Sequence, residues 1–313
     1  MNFYKTNISF CLSVFLTLIY FYPLLIFSQL DHRYNQYLTL DFQLNPAKCE
    51  NTKNGIYFYN KSQWIINKFN SKRNFTSISG QYKLNKNFFI GGNINSNKYS
   101  SSFFKRIFQL STSYRIKLNN QSLSLGLGCK YVTLDYNRDV NEFLFDDNDP
   151  KFIDNKFKIN KFDFSAGIFY RYKSFKLSIA STNLVNFFIE NNTFNANEII
   201  FETGIITSDE KLHVSEVSQF NLRLTYSNIP QRIFFIDLYR DYFSSTYYSF
   251  GGGVRMYKAA EFNFFNAVFL HLRIKLGKIK STVIGFSQEL NTSMGSENIN
   301  SSNEFILGFE KEN

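Results

Sequence analysis

Side chains that carry catalysis or bind metals are sparse in this sequence and stand far apart. The three histidines are His32, His213 and His271, and none has a second ligand at the spacing that a metal centre needs. A lone histidine on the polar face of a strand is more often a structural residue than a catalytic base. We therefore expect no catalytic residues, no metal site, no cofactor and no enzymatic activity.

Cysteine chemistry is equally limited. Cys11 lies in the leading apolar stretch, which leaves Cys49 and Cys129 in a processed chain, and no C-x-x-C metal or redox pair occurs. Two cysteines so far apart in sequence give no geometric basis for a bond, so free thiols are the expectation. A disulfide between them is the alternative in an oxidising compartment.

Two further clusters are candidates for ligand binding. Gly251, Gly252 and Gly253 lie inside a strand-like segment instead of at a strand-to-helix junction, so they predict a bend or a bulge and no nucleotide site. An acidic group lacks the spacing of a calcium loop and is expected to be solvated. It comprises Asp146, Asp147, Asp149 and Asp154.

The formal net charge of +10 raises the question of an anionic partner. Lys and Arg neutralise phosphates when they form a dense patch. Here they are spread along the chain, mostly singly between apolar residues, and no basic block occurs. This spacing indicates a wetted sheet face, and we expect no nucleic-acid partner.

The first 28 residues have the order of a Sec-type signal peptide. Lys5 precedes an apolar run from Ile8 to Phe27, and Ser28 is a small residue at the expected cleavage point. The run is long enough to span a bilayer, so a retained anchor is the alternative to cleavage. Because no comparable run follows and the mean hydropathy is -0.25, a helical membrane bundle is excluded.

From about Gly55 onward, apolar and polar side chains alternate, which predicts β-strands. Between Phe104 and Leu118, for example, Phe108 and Leu110 alternate with polar residues, and Asn119 with Asn120 then supplies turn chemistry. The whole chain contains about fourteen such segments, each about 8 to 14 residues long, with short turns alternating with longer Asn-, Asp- and Ser-rich loops.

This pattern predicts an all-β fold, a transmembrane antiparallel β-barrel of about 14 strands in contact with outer-membrane lipid. A soluble sandwich or propeller is the alternative, but its strands average only 5 to 6 residues. The predicted organisation is a signal peptide (1–28), an N-terminal periplasmic or plug-like segment (29–54) and a barrel (55–313). Polar faces would line the lumen, with Lys105, Gln109, Arg115, Lys117, Lys130 and Arg171 as candidates.

An ordered series of short motifs gives the sequence a family likeness. It consists of Gln36-Tyr37, Asn45-Pro46-Ala47, Gln63-Trp64, Leu123 to Gly128, Asp149 to Phe152 and Phe164 to Tyr172. The series resembles the PorP/SprF family, outer-membrane proteins of the Bacteroidetes type IX secretion and gliding machinery, over residues 29–185. The chain departs from the family pattern at Lys48 and Cys49, where a glycine is usual, and in the residues after Phe309.

The resemblance implies a non-enzymatic barrel that anchors or assists export of a secreted cell-surface protein through the C-terminal domain of that protein. It also implies contact with periplasmic components of the secretion or gliding machinery. The capture surface would be the lumen or the long loops Asp139 to Lys161 and Asn186 to Asn197. The motif residues with a family-specific role, or with the simpler role of seating the N-terminal segment, are Gln36, Tyr37, Asn45, Pro46, Gln63 and Trp64.

Two other functions are compatible with the residues themselves. A basic lumen would suit an outer-membrane pore or ligand transporter that favours anions. A soluble β-rich surface or adhesion protein is the third alternative, and it would remain soluble without detergent.

Overall fold

The computed structural model describes twelve stretches of the chain. These are residues 37–51, 54–66, 71–99, 103–137, 156–185, 198–208, 217–227, 233–243, 248–258, 265–277, 280–291 and 299–311. The predicted signal peptide, Gln36, two of the three histidines (His32 and His213) and the acidic group at 146–154 lie outside them.

Two short helices precede fourteen strands. Helix α1 spans Tyr37–Leu44, and a 3-10 helix spans Pro46–Asn51. The strands are β1 Asn54–Ile66, β2 Ser71–Lys83, β3 Phe88–Lys98, β4 Phe103–Leu118, β5 Gln121–Asn137, β6 Lys156–Tyr172, β7 Phe175–Thr182, β8 Glu198–Ser208, β9 Val217–Ser227, β10 Ile233–Phe243, β11 Tyr248–Lys258, β12 Phe265–Leu276, β13 Lys280–Asn291 and β14 Ile299–Lys311.

The strands form a closed antiparallel barrel in which each one pairs with its neighbours in sequence. Strand β1 closes the barrel by pairing with β14, so that Phe58 lies opposite Leu307. Closure satisfies the backbone hydrogen bonds of both terminal strands and leaves no open edge, as a lipid environment requires. The prediction of an antiparallel barrel of about 14 strands is confirmed.

The two faces of the barrel differ in polarity. On β4 the outward-facing Leu110 is 55% exposed and Tyr114 is 50% exposed, whereas the inward-facing Ser111 and Ser113 are buried. Exposed apolar side chains recur around the outer surface, as expected for a face that contacts lipid. Among the described residues, no helix is both long enough and apolar enough to cross a membrane.

The prediction of a bend or bulge at Gly251, Gly252 and Gly253 is wrong. Pairing of β11 with β10 and β12 continues without interruption through these residues. The glycines instead make room inside the barrel: a Cβ atom at Gly251 would lie 2.7 Å from His271 Cε1, and one at Gly253 would lie 2.7 Å from Phe269 Cζ.

Connections differ between the two ends of the barrel. Short turns join β4 to β5 and β6 to β7, where Asn119 (φ 51°) and Lys173 (φ 48°) adopt left-handed backbone angles. The other end carries the longest connections, although β6 starts at Lys156 and therefore already includes part of the predicted 139–161 loop. In barrels of this kind the short-turn end faces the periplasm.

Candidate functional site in the barrel lumen

The segment that precedes β1 lies inside the barrel. Among residues 41–49 only Leu44 is partly exposed, and the others are buried. The segment contacts the strands from β2 to β6 and reaches Glu202 on β8 and Arg223 on β9. Because it occupies the lumen beside these strands, residues 37–51 are called the plug below.

Asn45 joins the two helices of the plug and fixes them to the barrel wall. Its Oδ1 accepts a hydrogen bond from the backbone N–H of Ala47 at 2.9 Å, which caps the 3-10 helix that Pro46 begins. Its Nδ2 donates to Ser178 Oγ at 2.8 Å and to the carbonyl oxygen of Ile168 at 3.2 Å. The Asn-Pro-Ala sequence thus starts a helix and anchors it.

A pair of glycines forms the seat of the plug. Gly126 on β5 and Gly167 on β6 lie opposite each other. A Cβ atom at Gly126 would collide with the backbone of Pro46 and Ala47, and one at Gly167 would collide with Asn45 Oδ1. The close approach of the plug therefore requires glycine at both positions.

Four charged side chains alternate in sign around a ring between plug and wall. Lys48 Nζ lies 3.2 Å from Asp41 Oδ2 and 2.7 Å from Glu202 Oε1. Arg223 donates to Asp41 Oδ1 at 2.8 Å through Nη2 and to Glu202 Oε2 at 2.7 Å through Nε. These side chains are between 1% and 4% exposed, so each charge is compensated where water is excluded. We call the four residues the plug ring.

Apolar side chains occupy another part of the lumen, on β1, β10, β12 and β14. Tyr57, Tyr59, Tyr239, Phe269 and Ile306 face inward and are at most 2% exposed. Side chains that line an open aqueous channel would be in contact with solvent. At this level the lumen is therefore filled, by the plug on one side and by these aromatic and aliphatic side chains on the other.

The plug also carries one of the two described cysteines. Cys49 is buried beside Phe42 and Phe89, and this burial raises the pKa of its thiol to about 12. The thiol is consequently protonated and shielded from reagents while the plug is in place. Cys129 is exposed on the outer face, and both thiols are free.

The residues predicted to face the lumen occupy two environments. Those buried inside the barrel are Lys105, Gln109 and Lys130, and those exposed near the short-turn end are Lys117 and Arg171. The sixth, Arg115, is partly buried, with its guanidinium 4.5 Å from the ring centroid of Phe89. Gln109 contacts the plug, because its Nε2 donates to the carbonyl oxygen of Gln43 at 3.3 Å.

The candidate motif residues are brought together only in part. Asn45 and Pro46 lie side by side in the plug, and Tyr37 is the first residue of α1. Gln63 lies on β1 opposite Ser302 and Arg73, toward the long-loop end of the barrel, and Trp64 follows it.

Sequence reasoning missed the plug ring. Glu202 and Arg223 lie directly opposite each other on β8 and β9, in the polar register of alternating segments, which is the one signal that placed them inside the barrel. Asp41 and Lys48 carry no such periodic signal, although Lys48 stands where the chain departs from the family pattern. Their partnership depends on how the plug folds back into the lumen.

The closed barrel, its apolar outer face and its polar interior define an outer-membrane β-barrel protein. Two solved structures show the same fold. A monoaromatic hydrocarbon channel, CymD, aligns with a TM-score of 0.53 at 9% identity and covers 91% of this chain and 95% of its own. A FadL homologue from Pseudomonas aeruginosa aligns with a TM-score of 0.51 at 9% identity and covers 88% and 94%.

The family is shown by the sequence itself. The family of type IX secretion system membrane proteins PorP/SprF matches residues 26–309, so the chain belongs to the PorP/SprF family. No curated protein matches the chain significantly. The outer-membrane location and the link to type IX secretion follow from the family and the fold together.

Proposed function

We propose that this barrel is a non-enzymatic binding partner in type IX secretion, which anchors or assists export of a cell-surface protein through the C-terminal domain of that protein. Membership of the PorP/SprF family supports a role in secretion. The observation that carries the proposal is the filled lumen: the plug ring and the buried aromatic side chains favour a binding protein over a diffusion pore.

The long-loop end is the proposed capture surface. Two long connections, at residues 138–155 and 186–197, leave the barrel there. The start of the second is tied to the wall, because Asp163 Oδ1 accepts a hydrogen bond from the backbone N–H of Val185 at 2.9 Å. A fixed loop base reduces the entropy that a loop loses on binding, which favours capture of a folded domain. Periplasmic components of the machinery would contact the opposite, short-turn end.

The test is purification of the tagged barrel from outer membranes of its own host in mild detergent, with quantitative mass spectrometry of co-purifying proteins. We expect one large secreted protein in fixed proportion to the barrel. Replacing residues 187–196 by a short Gly-Ser linker should reduce that proportion at least tenfold, whereas the same replacement in the β13–β14 connection should not. Equal recovery with both replacements would reject the loop as the capture surface.

The alternative function is a pore or ligand transporter with a basic lumen. Lys105 and Lys130 favour it, because both lie inside the barrel. A wild-type barrel that purified alone and conducted anions in a planar bilayer would replace the anchoring proposal with this one.

A further inference from the structure

Three arginines on β9, β11 and β12 face the lumen, and two of them are matched by carboxylates. Arg223 contacts Glu202 and Asp41 in the plug ring. Arg255 contacts Asp237 through Nε at 2.9 Å and Glu289 through Nη1 at 3.1 Å. The third, Arg273, differs from both. Its Nε and Nη2 are buried and have no hydrogen-bond partner in the part of the chain that the structure describes.

Two further unpartnered polar groups lie next to Arg273. His271, on the same face two residues earlier, is 6% exposed, and its Nδ1 has no partner among the described residues. Its other nitrogen, Nε2, lies 2.8 Å from Asp241 Oδ1, which fixes the orientation of the ring. Ser287 lies directly opposite His271 on β13, is fully buried, and its Oγ likewise lacks a described partner.

The neighbours of these groups leave space and offer no competing charge to Arg273. Small residues lie opposite it on both adjacent strands, Ser249 on β11 and Gly285 on β13. The carboxylate of Glu310 is already shared by Lys275 at 3.5 Å and by the hydroxyl of Tyr57 at 3.0 Å.

We propose that Arg273, His271 and Ser287 form a binding site for an oxyanion, either a carboxylate or a phosphate. The Nε–H and Nη2–H groups of an arginine lie on one edge of the guanidinium, and that edge matches two oxygens of either anion. The hydroxyl of Ser287 donates a third hydrogen bond, and a protonated His271 paired with Asp241 donates a fourth. Arg273 lies three residues before Leu276, where β12 ends, so the anion enters from the short-turn end.

This site is independent of the cargo proposal, because it is built from the wall of β12 and β13 and uses neither the plug nor the long loops. Unmatched buried donors are costly, and a bound oxyanion removes that cost. The partner is accordingly an acidic group that reaches the lumen, whether free phosphate, a small carboxylate or an acidic peptide terminus.

Equilibrium dialysis of the purified barrel in detergent against labelled inorganic phosphate, at constant ionic strength, tests the site. We expect one phosphate per wild-type barrel and at least tenfold weaker binding by Arg273→Gln. Arg273→Lys should bind with intermediate affinity, since it keeps the charge and loses the two-pronged edge. The matched control is Arg171→Gln, which removes one positive charge near the same end of the barrel and should bind as the wild type does.

Competition identifies the source of the anion. Displacement of phosphate by acetate and by a peptide with a free C-terminal carboxylate, but not by the amidated peptide, would assign the site to carboxylates. Resistance to both competitors would assign it to phosphate. Unchanged phosphate binding by Arg273→Gln, or an equal loss in Arg171→Gln, would overturn the proposal. If Arg273→Gln does not form a heat-modifiable barrel, unchanged binding in both Arg273→Lys and Ser287→Ala has the same meaning.

Discussion

Arg223 holds the plug ring together, because it is the residue that contacts a carboxylate on each side. It meets Glu202 on the wall and Asp41 on the plug, and its side chain is 1% exposed. A charge in this position cannot be replaced by water while the plug is docked. Its removal therefore tests whether the plug is held by these charges or only by shape.

We predict that Arg223→Met releases the plug. Loss of one partner from a buried ionic network costs about 3 to 5 kcal/mol, which corresponds to a hundredfold or larger change in an equilibrium. The measurement is the rate at which a maleimide modifies Cys49 in the detergent-solubilised barrel. The control is Arg106→Met on the outer face, where the pair with Asp135 is half exposed and contributes little. A labelling rate within threefold of wild type would contradict the prediction.

The thiol of Cys49 makes plug docking dependent on pH. Burial raises its pKa to about 12, from an ordinary value of 9.0 in water. Because the docked thiol holds its proton where a released thiol loses it, docking is unaffected below pH 9 and weakens by about 1.4 kcal/mol per pH unit above it. We predict that hydrogen exchange of residues 41–49, followed by mass spectrometry, accelerates more in wild type than in Cys49→Ala between about pH 8 and about pH 10.5. Parallel acceleration in both proteins would assign the effect to lysines.

Among the elements, the strands follow from sequence and the plug does not. Alternation of side chains places Gln109, Ser111 and Ser113 on one face of β4 whatever the rest of the chain does, so it predicts both the strand and its inward face. The plug has no such local signal. Helix α1 is only eight residues long, and its position is set by Asn45, by the glycine seat and by charges more than 150 residues away.

The glycine seat gives a prediction at the scale of one element. Gly126→Val suits a strand but places its side chain where the plug backbone lies, so the barrel should form without the plug docked. We expect Cys49 to become reactive while far-UV circular dichroism and heat-modifiable mobility are retained. The control is Gly80→Val on β2, where the added Cβ would approach no atom closer than 3.6 Å. Slow labelling of Cys49 in Gly126→Val would show that the seat tolerates a side chain.

For the whole molecule, the question is whether the barrel is closed because of the plug. The lumen is filled partly by the plug and partly by aromatic side chains such as Tyr57 and Phe269 that belong to the barrel wall. The wall cannot move without breaking the closed sheet, whereas the plug is held by charges, hydrogen bonds and close packing against glycines. The plug is consequently the part of the filled lumen that can be displaced.

A covalent lock tests this at the level of the whole barrel. Asn45 Nδ2 lies 2.8 Å from Ser178 Oγ, so cysteines at both positions, in a background of Cys49→Ser and Cys129→Ser, should form a disulfide. We predict that wild type shows little conductance in a planar bilayer and that Arg223→Met shows frequent openings. Adding the cysteine pair to Arg223→Met should abolish the openings under oxidising conditions and restore them with reductant, which makes each molecule its own control. Openings that persist in the oxidised protein would place the conducting path beside the aromatic side chains instead of through the plug.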